Sequence, residues 1–276
     1  MILYKYLPVE RLEVLKTFLL RFSQPSALND PYECLPSFEE IDPEKYVERV
    51  VERNKSRILK DAKNPAGVIR RQRAMKKASR DLIKEYRNRP SCLTDRYSER
   101  WKHHMNREIG ILSLSKRSDS IVMWAHYASN HQGFAIGFES EHPFFKRQPD
   151  DNQDIGILQE VEYSPDRIEI RVADTNDEPS IFLRKNLDWS YEQEVRLIRR
   201  LEKATKILGE QDPKVHLFNI PKDSIHSVIV GMNSTEEFQS SVCHLIRQDD
   251  ALRHVRHLKA VIDRKSFKLN TVEIRN

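Results

Sequence analysis

Short runs of alternating apolar and polar residues, interleaved with stretches of helical spacing, mark the chain as α+β. Ile2 to Leu7 reads as a strand in which Tyr4 and Tyr6 share one face and Lys5 takes the other. Pro8 suits a first helical turn, and Leu12, Leu15 and Leu19 recur at helical spacing, so residues 9 to 20 are expected to form a helix with one apolar stripe. Arg21 to Pro36 follows as a turn-rich loop. Ile109 to Ser115 is a predicted strand, Asp119 to Asn130 a helix and Gly133 to Glu139 a strand. Further strands are predicted at Leu158 to Tyr163, Ile168 to Val172, Val215 to Ile220, Ile225 to Val230, Val255 to Ile262 and Ser266 to Ile274, with a short helix around Pro179 to Asn186. Ser234 with Glu237 has the spacing of a capping box that opens a helix to about Gln248.

Between these elements, residues 43 to 107 read as two or three helices broken near Asn64-Pro65-Ala66-Gly67 and at Arg89-Pro90. Apolar residues are sparse there, and charge sets the segment apart. From Glu44 to Glu108 there are 20 Lys+Arg against 9 Asp+Glu, a balance of +11, so the overall +5 leaves −6 for the rest. The predicted organisation is therefore an α+β core formed by residues 1–42 and 109–276, with a basic helical insertion at 43–108. Such a segment either presents a solvated helical face or attracts a polyanion such as nucleic acid, for which Arg70, Arg71, Arg73, Lys76 and Lys77 are the candidates.

Composition removes several classes. A chain of 276 residues buries a sizeable core, and 11 Phe, 9 Tyr and 3 Trp argue against disorder. With 7 Gly and neither G-x-x-x-x-G-K nor G-x-G-x-x-G, the common phosphate-binding loops are missing. Cys34, Cys92 and Cys243 are odd in number and widely spaced, which fits a reducing compartment without a cysteine zinc site. A cytoplasmic location with neither membrane span nor leader is the expectation, and no metal is expected.

Three segments carry candidate chemistry. If Tyr191 to Ile198 is a strand, Glu192, Glu194 and Arg196 line one face. That face is either solvated, with a surface Glu–Arg pair, or a rigid carboxylate pair with its cation, suited to polar recognition or charge stabilisation. On the helix near residue 124, Met123, His126, Tyr127 and Asn130 form a stripe of mixed polarity that either packs or borders a pocket. In the loop Phe22 to Pro31, Ser23, Asn29 and Asp30 either shape the backbone or present polar groups to a ligand. No Gly-x-Ser-x-Gly elbow or recognisable cysteine nucleophile is present.

In this order, four motifs resemble a bacterial family known as domain of unknown function 2971: Leu3-Tyr4-Lys5-Tyr6; Phe22-Ser23-x-Pro25 running into Asn29-Asp30-Pro31; Trp124-x-His126-Tyr127-Ala128 before Gly133-Phe134; and Trp189-x-Tyr191-Glu192-x-Glu194-x-Arg196. Pro221-Lys222 and Ile229-Val230-Gly231 extend the resemblance, which spans most of the chain outside the basic segment.

More distantly, an aromatic first strand, an early helix, a split set of strands and a late Glu192-x-Glu194 resemble ADP-ribosyltransferases. That resemblance implies a mixed, largely antiparallel split-sheet core and NAD as cofactor. It also implies that Glu194 stabilises the oxocarbenium-like transition state as nicotinamide leaves, while Glu192 orients or deprotonates the acceptor. Tyr4, Tyr6 or Tyr127 would stack on the nicotinamide, and Ser23, Asn29, Asp30, His126 and Arg196 complete the candidate cofactor-binding set. The first strand departs from that family in lacking the His or Arg that holds the cofactor, unless Lys5 or Arg21 substitutes. The combined expectation is a transferase modifying a macromolecular acceptor, in the manner of a bacterial toxin or phage-defence effector. Two alternatives stand beside it. One is a nucleic-acid-binding or nuclease-like effector in which His126, Asp30 and Glu194 do acid–base work. The other is a non-catalytic interaction or sensor protein with an operon-encoded partner.

Overall fold

A computed structural model describes residues 1–39, 42–60, 65–89, 91–146, 158–170, 179–210 and 212–274. The chain divides into two compact units, one of Met1–Cys34, Met105–Asp166 and Pro179–Asn276, the other of Leu35–His104 with Arg167–Glu178. In chain order the strands are β1 (Ile2–Leu7), β2 (Leu19–Phe22), β3 (Ser37–Phe38), β4 (Ile109–Ser115), β5 (Phe134–Glu139), β6 (Gln159–Glu160), β7 (Glu162–Ser164) and β8 (Glu169–Ile170). They continue with β9 (Arg184–Asn186), β10 (Glu194–Arg200), β11 (Lys206–Leu208), β12 (Val215–Asn219), β13 (Ile225–Val230), β14 (Arg256–Ile262) and β15 (Leu269–Glu273). The α-helices are α1 (Val14–Thr17), α2 (Pro43–Lys60), α3 (Pro65–Asn88), α4 (Ser91–Glu108), α5 (Ile121–Tyr127) and α6 (Glu236–Gln248). The fold is α+β.

The larger unit is built on a sheet ordered β15-β14-β13-β5-β1-β4-β10-β6 among the described residues. Only β13 and β14 run parallel in it; β1 lies antiparallel to both β4 and β5. A second sheet, β11-β12-β2, is joined to the first by a bridge between Ser23 and Ile111. The central strands are buried at nearly every position because both faces are covered, which is why β4 and β5 read as apolar runs. On one side Leu3, Leu114, Ile136 and Val228 pack with Phe238, Val242 and Ile246 of α6. On the other, Tyr6, Ala135 and Ile229 pack with Met123 and Trp124 of α5. Trp124 meets Tyr6 edge-on, with ring centroids 5.2 Å apart.

Several boundaries differ from the sequence reading. The helix expected over residues 9 to 20 stops at Thr17, because Phe18 turns left-handed (φ 54°) and Leu20 and Phe22 then alternate inward as β2. The helix expected to reach Asn130 is α5, which ends at Tyr127; Ser129, Asn130 and His131 are all left-handed. Residues 179–182 form a 3-10 turn, but Arg184–Asn186 is a strand. Thr235, and not Ser234, caps α6, accepting from the Phe238 amide, while the Ser234 hydroxyl donates to the Gly231 carbonyl at 2.6 Å. Of the strand expected at 168–172, Glu169–Ile170 is seen as β8, and residues 171 and 172 lie outside the described residues.

Gly231 sits where no side chain fits. A Cβ there would lie 2.0 Å from the His131 carbonyl oxygen, and its amide donates to the Gly133 carbonyl at 2.8 Å. This close approach of two backbones requires glycine at 231, and Gly133 is confined separately, since a Cβ there would lie 2.3 Å from the Leu7 carbonyl oxygen.

The smaller unit holds α2, α3, most of α4, and the parallel pair β3–β8. Its core is modest: Val47 and Tyr86 are buried with Tyr46, Val51, Ile83 and Tyr97 packed around them. Arg70, Arg73, Lys76 and Lys77 on α3 are exposed and Arg71 is half-buried. The breaks expected near Asn64-Pro65-Ala66-Gly67 and at Arg89-Pro90 correspond to the ends of these helices: α2 ends at Lys60, α3 runs from Pro65 to Asn88 and α4 begins at Ser91, with Asn64 and Pro90 themselves outside the described residues. No described helix is long and apolar enough to cross a membrane.

Candidate functional site

The segment Leu187–Glu192 is a 3-10 helix capped by Asn186, whose side chain accepts from the Asp188 amide. Gln193 then turns left-handed (φ 45°), and β10 begins at Glu194. Glu192 therefore precedes the strand on which it was expected. The tight turn nevertheless returns its carboxylate to the side that Glu194 faces, and the Ser115 hydroxyl fixes it by donating to the Glu192 carbonyl at 2.6 Å. The Glu194 amide donates to the Tyr163 hydroxyl at 2.8 Å, holding the start of β10.

Two further elements bring charge to the same place. β9 supplies Lys185. The loop at Asn29–Glu33 supplies Glu33: the Asp30 carboxylate accepts from the Tyr32 amide at 2.8 Å and its carbonyl from the Glu33 amide at 3.0 Å, so Asp30 shapes the turn that presents Glu33.

Glu33, Lys185, Glu192, Glu194 and Arg196 form one buried ionic cluster. Lys185 Nζ lies 2.6 Å from Glu192 Oε2, 3.1 Å from Glu194 Oε2 and 3.7 Å from Glu33 Oε2. It also stands 4.8 Å from the centre of the Trp189 ring. Arg196 donates from Nε to Glu194 Oε1 at 2.8 Å, from Nη2 both to Glu194 Oε2 at 2.9 Å and to Glu33 Oε1, and from Nη1 to the Phe182 carbonyl. The Tyr127 hydroxyl donates to Glu192 Oε1 at 2.6 Å. Charges this deeply buried are tolerable only when paired and hydrogen-bonded, which is what the cluster provides. A solvated outer face, the alternative left open by the sequence, is excluded: Arg196 is fully buried and both glutamates are 4% exposed.

The electrostatics divide the carboxylates. Burial alone would raise Glu194, but Arg196 and then Lys185 hold it well below the usual carboxylate range, at about 2. Glu33 is shifted upward by burial, which outweighs its pairing with Arg196 and Lys185. Lys185 is raised, since Glu194, Glu33 and Glu192 together overcome its desolvation. Burial raises the Tyr127 phenol, helped by the neighbouring Glu192 charge. Lys5 is lowered by burial, against the pull of Glu194 and Glu192.

A cavity of about 200 Å³ opens against this cluster. Its lining includes Glu192, Glu194, Tyr4, Tyr6, Tyr127, Ser23 and Asn29, seven of the residues singled out from the sequence. Lys5 lines it too, with Nζ donating to the Ser113 carbonyl at 3.1 Å. The other candidates lie elsewhere. Arg196 is bonded to Glu194 and Glu33 and does not line the cavity, so its place is structural. Asp30 is spent on its turn. His126 is exposed on α5, its Nδ1 3.2 Å from the Tyr191 hydroxyl, and only its neighbours Met123 and Tyr127 reach the cavity. Among the described residues no group of His, Cys, Asp and Glu is arranged to hold a metal ion.

Lys185 and Glu33 escaped the sequence reading. Lys185 belongs to a three-residue strand without a motif, and only the surplus of carboxylates around Glu192 and Glu194 hinted that a second cation was needed. Glu33 stands two residues beyond the recognised Asn29-Asp30-Pro31, and the Asx-type turn there was the available signal.

Residues 123–197 match the family model described as protein of unknown function (DUF2971). The matched stretch begins at the α5 residues of the cavity and ends on β10, so it contains Tyr127, Lys185, Glu192, Glu194 and Arg196. No curated protein and no solved structure matches the chain.

Proposed function

We propose that the cavity binds the nicotinamide riboside end of NAD and that the protein is a transferase of the ADP-ribosyl type acting on a macromolecular acceptor. The observation that carries this reading is the convergence of Glu192, Glu194, Tyr4, Tyr6 and Tyr127 on a single cavity. At about 200 Å³ it is smaller than the ~300–1,000 Å³ typical of small-molecule pockets. It suits one ring and its sugar, and the rest of the dinucleotide extends beyond it.

The residues divide the work by how firmly each is held. Glu194 accepts three charged hydrogen bonds, from Arg196 twice and Lys185 once, and stays ionised at neutral pH. It is a fixed negative charge placed where positive charge grows on the ribose as the C1′–N bond to nicotinamide lengthens, which is electrostatic preorganisation. Glu192 accepts two, from Tyr127 and Lys185, which leaves it more acceptor capacity. It takes the proton of the acceptor hydroxyl or amine. Tyrosine faces accommodate the cationic pyridinium ring before it departs. The exposed Arg70, Arg73, Lys76 and Lys77 of α3 support a polyanionic acceptor such as nucleic acid.

The test is incubation with labelled NAD and RNA, DNA or protein acceptors. Nicotinamide release with transfer of label supports the reading; no release with any of them overturns it.

A further inference from the structure

A second concentration of exposed basic and aromatic side chains lies in the larger unit, at the hairpin between β14 and β15. Asp263 accepts hydrogen bonds from the Lys265 amide at 2.8 Å, the Ser266 amide at 2.7 Å, the Ser266 hydroxyl at 2.8 Å and the Asn270 side chain at 2.6 Å. The only acid of the loop is thereby turned inward, and the turn is pinned by its own carboxylate. What faces outward is basic and aromatic. Phe267 is wholly exposed, Arg264, Lys265 and Lys268 are exposed beside it, and none of the three makes an ion pair with a described residue.

The tip borders a groove of about 530 Å³ whose floor includes Ile121 and Met232. An exposed phenyl ring normally costs hydration free energy, so its placement on a pinned turn between three exposed cations calls for a partner. We propose that this groove binds single-stranded nucleic acid, one base stacking on Phe267 while Arg264, Lys265 and Lys268 hold the flanking phosphates. Charge complementarity selects a polyanion, and the single exposed ring selects a base over a lipid surface: one phenyl offers a stacking face for one base, whereas binding to a bilayer scales with a larger buried apolar area. The inference stands independently of any chemistry at the Glu194 cavity.

The experiment uses the full chain and a fluorescently labelled oligo(dT) read by anisotropy across a salt series. The wild type binds with affinity that falls as salt rises. Phe267→Ala weakens binding about tenfold or more, while Phe267→Trp retains it and gains a fluorescence signal that the oligonucleotide quenches. Replacing Arg264, Lys265 and Lys268 by Gln flattens the salt slope by about 2, at ~0.7 per lost phosphate contact on a single strand. A duplex of equal length binds wild type and Phe267→Ala alike. Unchanged affinity in Phe267→Ala overturns the proposal, as does an unquenched Phe267→Trp or the absence of oligonucleotide binding. So does a Phe267-dependent affinity for phosphatidylserine vesicles in place of the oligonucleotide.

Discussion

The Arg196 guanidinium holds the Glu194 carboxylate in a fork, Nε to Oε1 at 2.8 Å and Nη2 to Oε2 at 2.9 Å. Both side chains are buried. Arg196 thus fixes the orientation of Glu194 before any ligand arrives, while Nη2 also donates to Glu33 and Nη1 ties the same unit to the Phe182 carbonyl. Arg196→Met leaves Glu194 and Glu33 buried with Lys185 as their remaining cation, and the expected cost is roughly 3–5 kcal/mol of folding stability. Arg196→Lys recovers only part, because an ammonium cannot reproduce the planar fork. Urea unfolding of the two variants beside the wild type measures both effects; equal stability of Arg196→Met and wild type would show that the fork carries no weight.

The cluster has a defined acid response. Glu194 is depressed from its ordinary 4.5 to about 2 by Arg196 and Lys185, so its stabilising contribution is complete above about pH 4.5 and is lost as pH falls towards 2. Glu33 is shifted upward by burial, so its ionisation opposes folding above its raised value and that penalty lifts on acidification. As pH falls, Glu33 takes up a proton before Glu194 does. Carboxyl ¹³C titration by NMR is expected to show that order. The stability gap between wild type and Glu194→Gln should also narrow between pH 4.5 and 2, and a constant gap would be inconsistent with a depressed Glu194.

Tyr127 donates to Glu192 at 2.6 Å. Removing the hydroxyl in Tyr127→Phe leaves a buried carboxylate with one partner fewer, a loss of about 1.5–3 kcal/mol for a hydrogen bond to a charged group. Thermal unfolding checks the stability, and a crystal structure of the variant checks whether Glu192 swings away from the cavity.

Gly231→Ala places a methyl group against the His131 carbonyl, a contact with backbone that no rotamer relieves. The expected destabilisation is about 2 kcal/mol or more. Denaturant midpoints measure it, and a neutral outcome would mean that the left-handed turn at Ser129–His131 yields easily.

The apolar runs made the strands β4, β5 and β13 legible, since strands covered on both faces announce themselves by composition, whereas β14 was legible by alternation, Leu258 and Ala260 being buried between more exposed neighbours. The first helix misled because Leu12, Leu15 and Leu19 satisfy a helical period while Leu20 and Phe22 satisfy a strand period, and a left-handed Phe18 decides between them. At the cavity, Glu192, Glu194 and the tyrosines were readable as a spaced pattern. Their environment was not, since alternation alone does not tell a solvated face from a buried one. Lys185 and Glu33 were hidden for a related reason: an ion pair between positions 33 and 196 leaves no mark in the local sequence of either.

The most direct measurement is a time course of nicotinamide release from NAD by wild type, Glu194→Gln and Glu192→Gln, with folding of each verified by circular dichroism. The wild type is expected to release nicotinamide and Glu194→Gln to lose about 10²–10³ in rate, with Glu192→Gln impairing transfer to the acceptor more than release. Release that persists undiminished in a folded Glu194→Gln, or its absence from the wild type with every acceptor, would contradict that expectation.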